Sequence, residues 1–138
     1  MTTATHPSTV LEQLCAWTSA LRYEDIPPEV ATKVKLLLLD AMGVAVATAH
    51  LGDAQAVVDV AKTLGEGRES VLLGSGERLP ATSAALVNAA RIHCLDFDDT
   101  HMQAIIHSSA FTAGVALALG EALDATGKDV LVAATVGY

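Results

Sequence analysis

The sequence predicts an all-α fold of about six helices with one short hairpin-like insert. Three observations support this prediction. Apolar residues recur at intervals of three and four over most of the chain, as they do along one face of a helix. Ser, Thr, Asp or Pro stands near the start of most such runs, and Gly closes several of them. Aromatic residues are scarce, with one Trp, two Tyr and two Phe, so the core must be filled by Ala, Val and Leu.

The first three helices carry start signals in order. Thr9 and Glu12 have the spacing of a capping box, which begins helix one. Pro28 begins helix two, since Pro at a first helical position loses no hydrogen bond. Asp53 is the candidate N-cap of helix three, which Gly65 closes. The predicted ranges are 9–21, 28–50 and 53–65. Helix two is expected to be buried on most sides through Val30, Val34, Leu37, Leu38, Ala41, Met42 and Ala45.

The second half of the chain begins with the insert. Ser70–Leu73 and Glu77–Leu79 flank a Gly-Ser-Gly turn, which predicts a short hairpin. Pro80 opens an Ala-rich fourth helix, and a polar loop separates it from the fifth. Thr126 and the Asp three residues later cap a sixth helix. The predicted ranges are 81–94, 109–123 and 126 to the end of the chain.

Composition limits the class of protein. The 138 residues suit a single domain, 1–138, and the net charge of −8, without a Lys or Arg cluster, argues against nucleic acid. Cys15 and Cys94 form no disulfide framework, and Met1–Ser8 lacks the regions of a signal peptide, so we expect a cytoplasmic protein. Apolar runs fall short of the roughly 18 residues of a membrane span, so we expect no membrane partner. The apolar ending, Val136–Tyr138, predicts a truncated domain.

Groups capable of acid–base chemistry concentrate between helices four and five. Three of the five His and three Asp fall within fifteen residues there. His exchanges protons near neutral pH, and carboxylates orient or accept them. If helix four continued to Asp96, this residue would stack with Asn88 on one face. The structural alternative has Asp98 and Asp99 starting a helix or lying solvated in a loop, and His93 in the core.

Other site signatures are weaker. A His/Asp metal site has the right ligand types but no recognised ligand spacing, and the EF-hand pattern fails at its Gly and Glu positions. We therefore expect no metal. The Gly-Ser-Gly turn is not a dinucleotide fingerprint, and we expect no cofactor. The residues considered for the metal site are His93, Asp98, Asp99, His101 and His107.

The polar segment resembles the motif of the MmgE/PrpD family, commonly written N-G-x3-H-x-x-D-[FY]-D-D-T-H with H-P-S-A after a short spacer. The Leu38–Gly43 and Leu73–Pro80 segments are also similar to family patterns. Three positions depart from the motif: Ala89, Gln103 and Ser108. The matching residues read Asn88-x4-His93-x2-Asp96-Phe-Asp98-Asp99-Thr100-His101, followed by His107-Ser-Ser-Ala110.

The resemblance implies a fold and a site. The family comprises metal-independent 2-methylcitrate dehydratases, cis-aconitate decarboxylases and an iminodisuccinate epimerase, typically dimers with a large helical domain and a smaller α/β lid. This chain would be the N-terminal portion of the helical domain, without the lid. By the resemblance, His107 transfers a proton, and Asp96 and Thr100 hold the substrate or orient that transfer. The other motif positions are expected to bind substrate: Asn88, His93, Asp99 and His101.

We therefore expect the N-terminal part of a lyase or isomerase that acts on small polycarboxylic acids by dehydration, decarboxylation or epimerisation. Arg91 is the only cation near the cluster, so the chain alone is expected to be inactive and to dimerise or self-associate. Two alternatives stay open. One is a non-catalytic helical dimerisation or interaction module, and the other is a His/Asp metal-dependent hydrolase.

Overall fold

The computed structural model describes residues 9–138; the opening segment, Met1–Ser8, lies outside the described residues. The described chain is predominantly helical, which confirms the predicted fold class. The two strands pair antiparallel, with Ser70 opposite Leu79, and a 3-10 turn at Tyr23–Asp25 was not predicted. The elements are α1 (Val10–Ala20), α2 (Pro28–Leu51), α3 (Gln55–Ala61), β1 (Ser70–Val71), β2 (Arg78–Leu79), α4 (Ala81–His93), α5 (Ser108–Ala122) and α6 (Gly127–Gly137).

Local signals explain the starts of α1 and α6 and the end of α2. The predicted capping box at α1 is present: the Glu12 amide donates to Thr9 Oγ1 at 3.2 Å, and the Thr9 amide donates to Glu12 Oε2 at 2.7 Å. Thr126 and Asp129 form the same arrangement at α6. Gly52, at φ 82°, ends α2 in the left-handed conformation that Gly adopts at low cost.

The predicted start of α3 is wrong. Its N-cap is Ala54 at φ 61°, and Asp53 makes no capping hydrogen bond. Two left-handed residues in close succession, Gly52 and Ala54, turn the chain sharply after α2, so the Asp53 amide donates to the Thr48 carbonyl instead. The helix also ends earlier than expected, at Ala61.

Helices α4 and α5 pack through small residues. A Cβ atom at Gly114 would lie 3.0 Å from the Ala89 amide nitrogen and 3.1 Å from the Ala85 carbonyl oxygen. Only Gly permits this backbone approach without a shift. The main core cluster joins α2, α4, α5 and α6: Val34, Leu38, Ala41, Ala45, Ile92, Ala113, Ala116 and Ala134. A second cluster lies under the hairpin and α3: Val58, Ala61, Leu72, Ala84, Val87 and Ala118.

Helix α2 is buried on one face only, so the prediction of burial on most sides is wrong. Its buried residues follow three- and four-residue spacing, whereas Leu36 and Leu39 are 56% and 62% exposed. Helix α1 has no buried residue. By length and composition alone, α2 is the one helix in the described part of the chain that could cross a membrane, a test that core helices of globular domains also pass. The buried residues of α2 are Ala31, Val34, Leu38, Ala41, Ala45 and Thr48.

Candidate functional site

The turn after α4 places two carboxylates of the motif, Asp96 and Asp98, in different environments. Helix α4 ends at His93, and Asp96 adopts φ 53°. The predicted stacking of Asn88 and Asp96 on a continued helix is therefore wrong. After this turn, the side chain of Asp98 is 0% exposed, whereas that of Asp96 is 80% exposed.

A tight loop then presents His107. The His101 amide donates to the Ile106 carbonyl at 2.9 Å, and the Ile105 amide donates to the His101 carbonyl at 2.7 Å. The ring of His101 accepts a hydrogen bond from the Ala104 amide at its Nδ1 atom, at 3.1 Å, so it stabilises this loop. His107 follows directly and occupies the N-cap position of α5. The loop therefore places an imidazole at the start of a helix.

The two nearest imidazoles face one buried carboxylate. Nδ1 of His93 lies 3.2 Å from Oδ1 and 3.3 Å from Oδ2 of Asp98. Nδ1 of His107 also lies 3.2 Å from Asp98 Oδ1. The ring centroids of the two His are 4.7 Å apart, with an edge-on interplanar angle of 63°. His93, Asp98 and His107 thus form one contact unit, which we call the imidazole–carboxylate cluster.

The three predicted catalytic residues come together around His107. Its Nε2 atom lies 3.7 Å from Asp96 Oδ1, and its Nδ1 atom lies 3.4 Å from Thr100 Oγ1. The His107 side chain is 25% exposed, so solvent or a ligand can reach the ring. Such an imidazole can take up or release a proton beside a carboxylate and a hydroxyl.

The structure does not bring all predicted substrate-binding residues into this cluster. Asn88 is 1% exposed, and its amide accepts from the Leu73 amide at 2.9 Å and donates to the Val71 carbonyl at 3.0 Å. Oδ1 of Asp99 accepts from the Ser109 amide at 2.9 Å, in the first turn of α5. These two side chains, like His101, bond to backbone groups of the fold. Of the four, His93 alone is part of the cluster. Substrate contact by each of the four stays a prediction.

A second polar contact lies beside α5. The hydroxyl of Tyr138 is 2.5 Å from Ser109 Oγ. Burial raises the pKa of Tyr138, the Ser109 hydrogen bond lowers it, and the charges of Asp99 and Asp40 raise it further. The phenol is therefore protonated at neutral pH. No motif or spacing in the sequence indicated this pair.

Arg91 does not serve the cluster. Its Nη1 atom donates to the Leu73 carbonyl at 2.6 Å and lies 3.3 Å from Ser75 Oγ, at the turn of the hairpin. Burial lowers the pKa of Arg91, and the charge of Glu77 opposes this. Within residues 9–138, no Lys or Arg forms an ion pair with Asp96, Asp98 or Asp99.

The cluster also has the donor set of a metal site. His93, Asp96, Asp98 and His107 each offer one ligand atom, and these atoms lie within 4.8 Å of one another. Imidazole and carboxylate groups suit zinc. The 3.2 Å contact between His93 Nδ1 and Asp98 Oδ1 also has the geometry of a hydrogen bond between imidazole and carboxylate, which requires no ion.

An apolar groove lies elsewhere in the described part of the chain. It runs between α5 and α6 and is lined mainly by apolar side chains, with Asp129 as its one ionisable group. A groove of this character offers no acid–base chemistry, and the imidazole–carboxylate cluster is the better candidate site. The larger apolar lining residues are Phe111, Val115, Leu119, Leu123 and Val130.

Comparison with known proteins agrees with the motif. A family model described as the MmgE/PrpD N-terminal domain matches residues 12–138. The chain belongs to the MmgE/PrpD family. Cis-aconitate decarboxylase of Aspergillus terreus is 31% identical over 136 residues, covering 95% of this chain and 28% of that protein. Cis-aconitate decarboxylase of Homo sapiens is 32% identical over 137 residues, and that of Mus musculus is 31% identical over 133.

The chain spans little more than a quarter of these relatives, 28% of the fungal protein and 27% of the human protein. No solved structure matched it significantly. Within the MmgE/PrpD motif, Asp98 is the residue whose place in the site was missed. The D-F-D-D run contained it, but the sequence did not indicate which Asp turns inward.

Proposed function

We propose that this MmgE/PrpD chain supplies part of the active site of a lyase that decarboxylates cis-aconitate, with His107 as the proton-transferring group. The relatives named above are cis-aconitate decarboxylases, which supports the reaction class and the substrate. The single structural observation that carries the proposal is the position of His107. Its ring lies between the Asp96 carboxylate, 3.7 Å away, and the Asp98 carboxylate, 3.2 Å away, and remains partly exposed.

The chemistry needs one proton at carbon. Loss of carbon dioxide from a tricarboxylate breaks a carbon–carbon bond and leaves its electron pair on the substrate. A protonated His107 can donate a proton to that electron pair and become neutral, after which solvent reprotonates it. Asp96 and Thr100 then hold or orient the substrate and the ring. In the reverse direction, a neutral His107 could remove a proton from carbon, which is the step that a dehydratase or an epimerase needs first.

The excess of negative charge around the candidate site indicates that this chain alone is not sufficient for turnover of a tricarboxylate. Three carboxylates, those of Asp96, Asp98 and Asp99, stand just before the loop that presents His107. The Arg91 side chain contacts the hairpin instead of this loop. A substrate with three carboxylates would be repelled by such a surface. We therefore expect the compensating cations to come from polypeptide beyond these residues, and residues 1–138 alone to show no turnover.

The test is an assay of the full gene product with cis-aconitate, following carbon dioxide release and the loss of one carboxyl signal by NMR. We expect turnover of cis-aconitate, and none by the isolated 138-residue chain. A parallel assay with 2-methylcitrate separates a decarboxylase from a dehydratase. A full gene product that leaves cis-aconitate unchanged would overturn the proposed substrate and reaction.

A metal-dependent hydrolase is the second candidate, because four metal-ligand side chains converge. We expect no stoichiometric zinc, iron or manganese after dialysis of the gene product against a chelator, with turnover retained. A retained ion, together with activity lost on chelation and restored by metal, would favour the hydrolase instead.

For the whole protein we also propose a cytoplasmic homodimer. The exposed apolar side chains of α1 and α2 favour association, and the free thiols Cys15 and Cys94 fit a reducing compartment. A non-catalytic helical association module would keep the dimer but lack turnover. Sedimentation and the cis-aconitate assay on one preparation therefore distinguish the two.

A further inference from the structure

We infer that Asp99 is a positioning residue: its carboxylate caps the start of α5 and so holds His107 beside Thr100, while the His107 ring stays free of any capping role. The contact between Ser109 and Tyr138 holds the same turn of α5 from the end of α6. The kinetic consequence rests on the proposed function, whereas the hold on the helix start can be measured without a substrate.

The N-cap position of α5 is occupied by a residue that does not cap. An N-cap side chain usually accepts a hydrogen bond from the amide of the second or third helical residue. His107 occupies this position, yet its side chain makes no capping hydrogen bond. The amide of Ser109, the second helical residue, donates to Asp99 Oδ1 at 2.9 Å instead. Asp99 therefore supplies the missing acceptor, and a carboxylate also suits the positive end of the helix dipole.

The same hydrogen bond closes the base of the loop that presents His107. Within the loop, the His101 amide donates to the Ile106 carbonyl at 2.9 Å. Thr100 and His107 lie between these two connections in the sequence, one on each side of the loop. Thr100 Oγ1 accordingly lies 3.4 Å from His107 Nδ1. Without the Asp99 acceptor, one of the two connections that keep these side chains together would be lost.

A second contact holds the same turn of α5 from the end of α6. The Ser109 side chain is buried, and its Oγ atom lies 2.5 Å from the Tyr138 hydroxyl. Burial raises the pKa of Tyr138, so the phenol keeps its proton at neutral pH and either hydroxyl can donate. One turn farther along α5, a Cβ at Gly137 would lie 2.7 Å from Thr112 Cγ2, so the two helices approach closely there. The start of α5 is therefore held at two points.

A direct contact of Asp99 with substrate predicts a different pattern of kinetic changes. Loss of a substrate contact that acts equally before and during the reaction raises KM, whereas a misplaced proton-transfer group lowers kcat. The substitution Asp99→Asn separates an acceptor from a charge. Its amide oxygen can still accept from the Ser109 amide, and Asn caps helices about as well as Asp.

The test compares Asp99→Ala with Asp99→Asn in the full gene product. In Asp99→Ala, we expect kcat on cis-aconitate to fall by roughly 10- to 10²-fold with little change in KM, because His107 is misplaced. Hydrogen exchange in the first turn of α5, followed by mass spectrometry, should become about fivefold faster, as for a lost helix cap. Asp99→Asn should keep both kcat and the exchange rate within about twofold of the wild type.

Two further variants complete the comparison. Thr9→Ala removes a helix cap at α1, which has no buried residue, and is the matched control. It should leave kcat and the exchange in α5 unchanged. Tyr138→Phe removes the second contact and should lower kcat by roughly twofold to tenfold, the effect of one hydrogen bond.

A folded Asp99→Ala protein with wild-type kcat and exchange would overturn the inference, as would a raised KM with unchanged kcat. Equal losses of kcat in the Ala and Asn variants would overturn it as well, because the charge would then matter and not the acceptor. If Asp99→Ala does not fold, a tenfold loss in Asp99→Asn, or wild-type kcat and exchange in Tyr138→Phe, would contradict it. Absence of turnover by the wild type would instead contradict the proposed function, while the exchange rates still decide whether Asp99 holds the start of α5.

Discussion

The imidazole of His107 lies at the end of a tight loop and at the start of α5. Its removal should abolish the proton transfer while leaving the core intact, because the ring is partly exposed. We expect His107→Ala to lower turnover of the full gene product by roughly 10² to 10⁴. His50→Ala, at the exposed C-terminal turn of α2, should be nearly silent. Loss of turnover in His50→Ala, with retention in His107→Ala, would place the site elsewhere.

Asn88 makes a different kind of contribution. Its amide joins α4 to the hairpin through the Val71 carbonyl and the Leu73 amide, and it is almost wholly buried. We expect Asn88→Ala to lower the free energy of unfolding by about 1–3 kcal/mol, since two buried backbone groups lose their partners. Thr82→Ala, exposed on the same helix, is the control in urea unfolding. Unchanged stability with a raised KM would instead favour the predicted substrate contact.

The composition of the cluster was predictable at the scale of single residues, but its internal arrangement was not. His107, Asp96 and Thr100 were expected together, and the structure places them within 3.7 Å contacts. The inward turn of Asp98 depends on the left-handed conformation of Asp96, which ends any helical register after α4. A non-Gly residue with positive φ is uncommon, and no local pattern predicts it.

At the scale of elements, the helix starts that depend on a few adjacent residues could be predicted from the sequence. Which helix faces are buried could not. The capping boxes at Thr9 and Thr126 are encoded within four residues each, and both are present. The apolar face of α1 has the right period, yet none of its residues is buried. Periodicity identifies a face but does not identify what covers it. The start of α3 was wrong because it depends on a sharp turn at Ala54 rather than on a capping side chain.

Replacement of Gly by Ala should have opposite effects on stability at the α4–α5 contact and at an open position of α2. A Cβ at Gly114 would meet backbone atoms of α4 at 3.0 and 3.1 Å, whereas one at Gly43 in α2 would meet nothing within 4 Å. Overpacking costs about 1–3 kcal/mol, which exceeds the helical gain, so Gly114→Ala should destabilise. Gly43→Ala should stabilise by about 0.5–1 kcal/mol, because Ala loses less backbone entropy in a helix. Urea unfolding checks both, and equal effects of the two substitutions would contradict the packing argument.

For the whole molecule, the distribution of apolar surface is the dominant feature. The core joins four helices, but large apolar side chains remain exposed on several elements. Three groups stand out: Val10, Leu11, Leu14 and Trp17 on α1; Leu36, Leu39 and Val46 on α2; and Phe111, Val115 and Leu119 on α5. Contiguous exposed surface of this kind marks interaction sites in soluble proteins. The net charge of −8 opposes association only through long-range repulsion, which salt screens.

The purified 138-residue chain should therefore self-associate, and added salt should increase the association. The groove between α5 and α6 contributes apolar area through Phe111 and Leu119, which are 51% and 43% exposed. We expect the double substitution Phe111→Gln with Leu119→Gln to lower the mean mass in sedimentation. Leu64→Gln, at an exposed site outside this groove and 62% exposed, is the control and should change little. A wild-type chain that sediments as a monomer at all salt concentrations would show that these faces do not drive association. Equal effects of the groove and control substitutions would show that association does not depend on the groove.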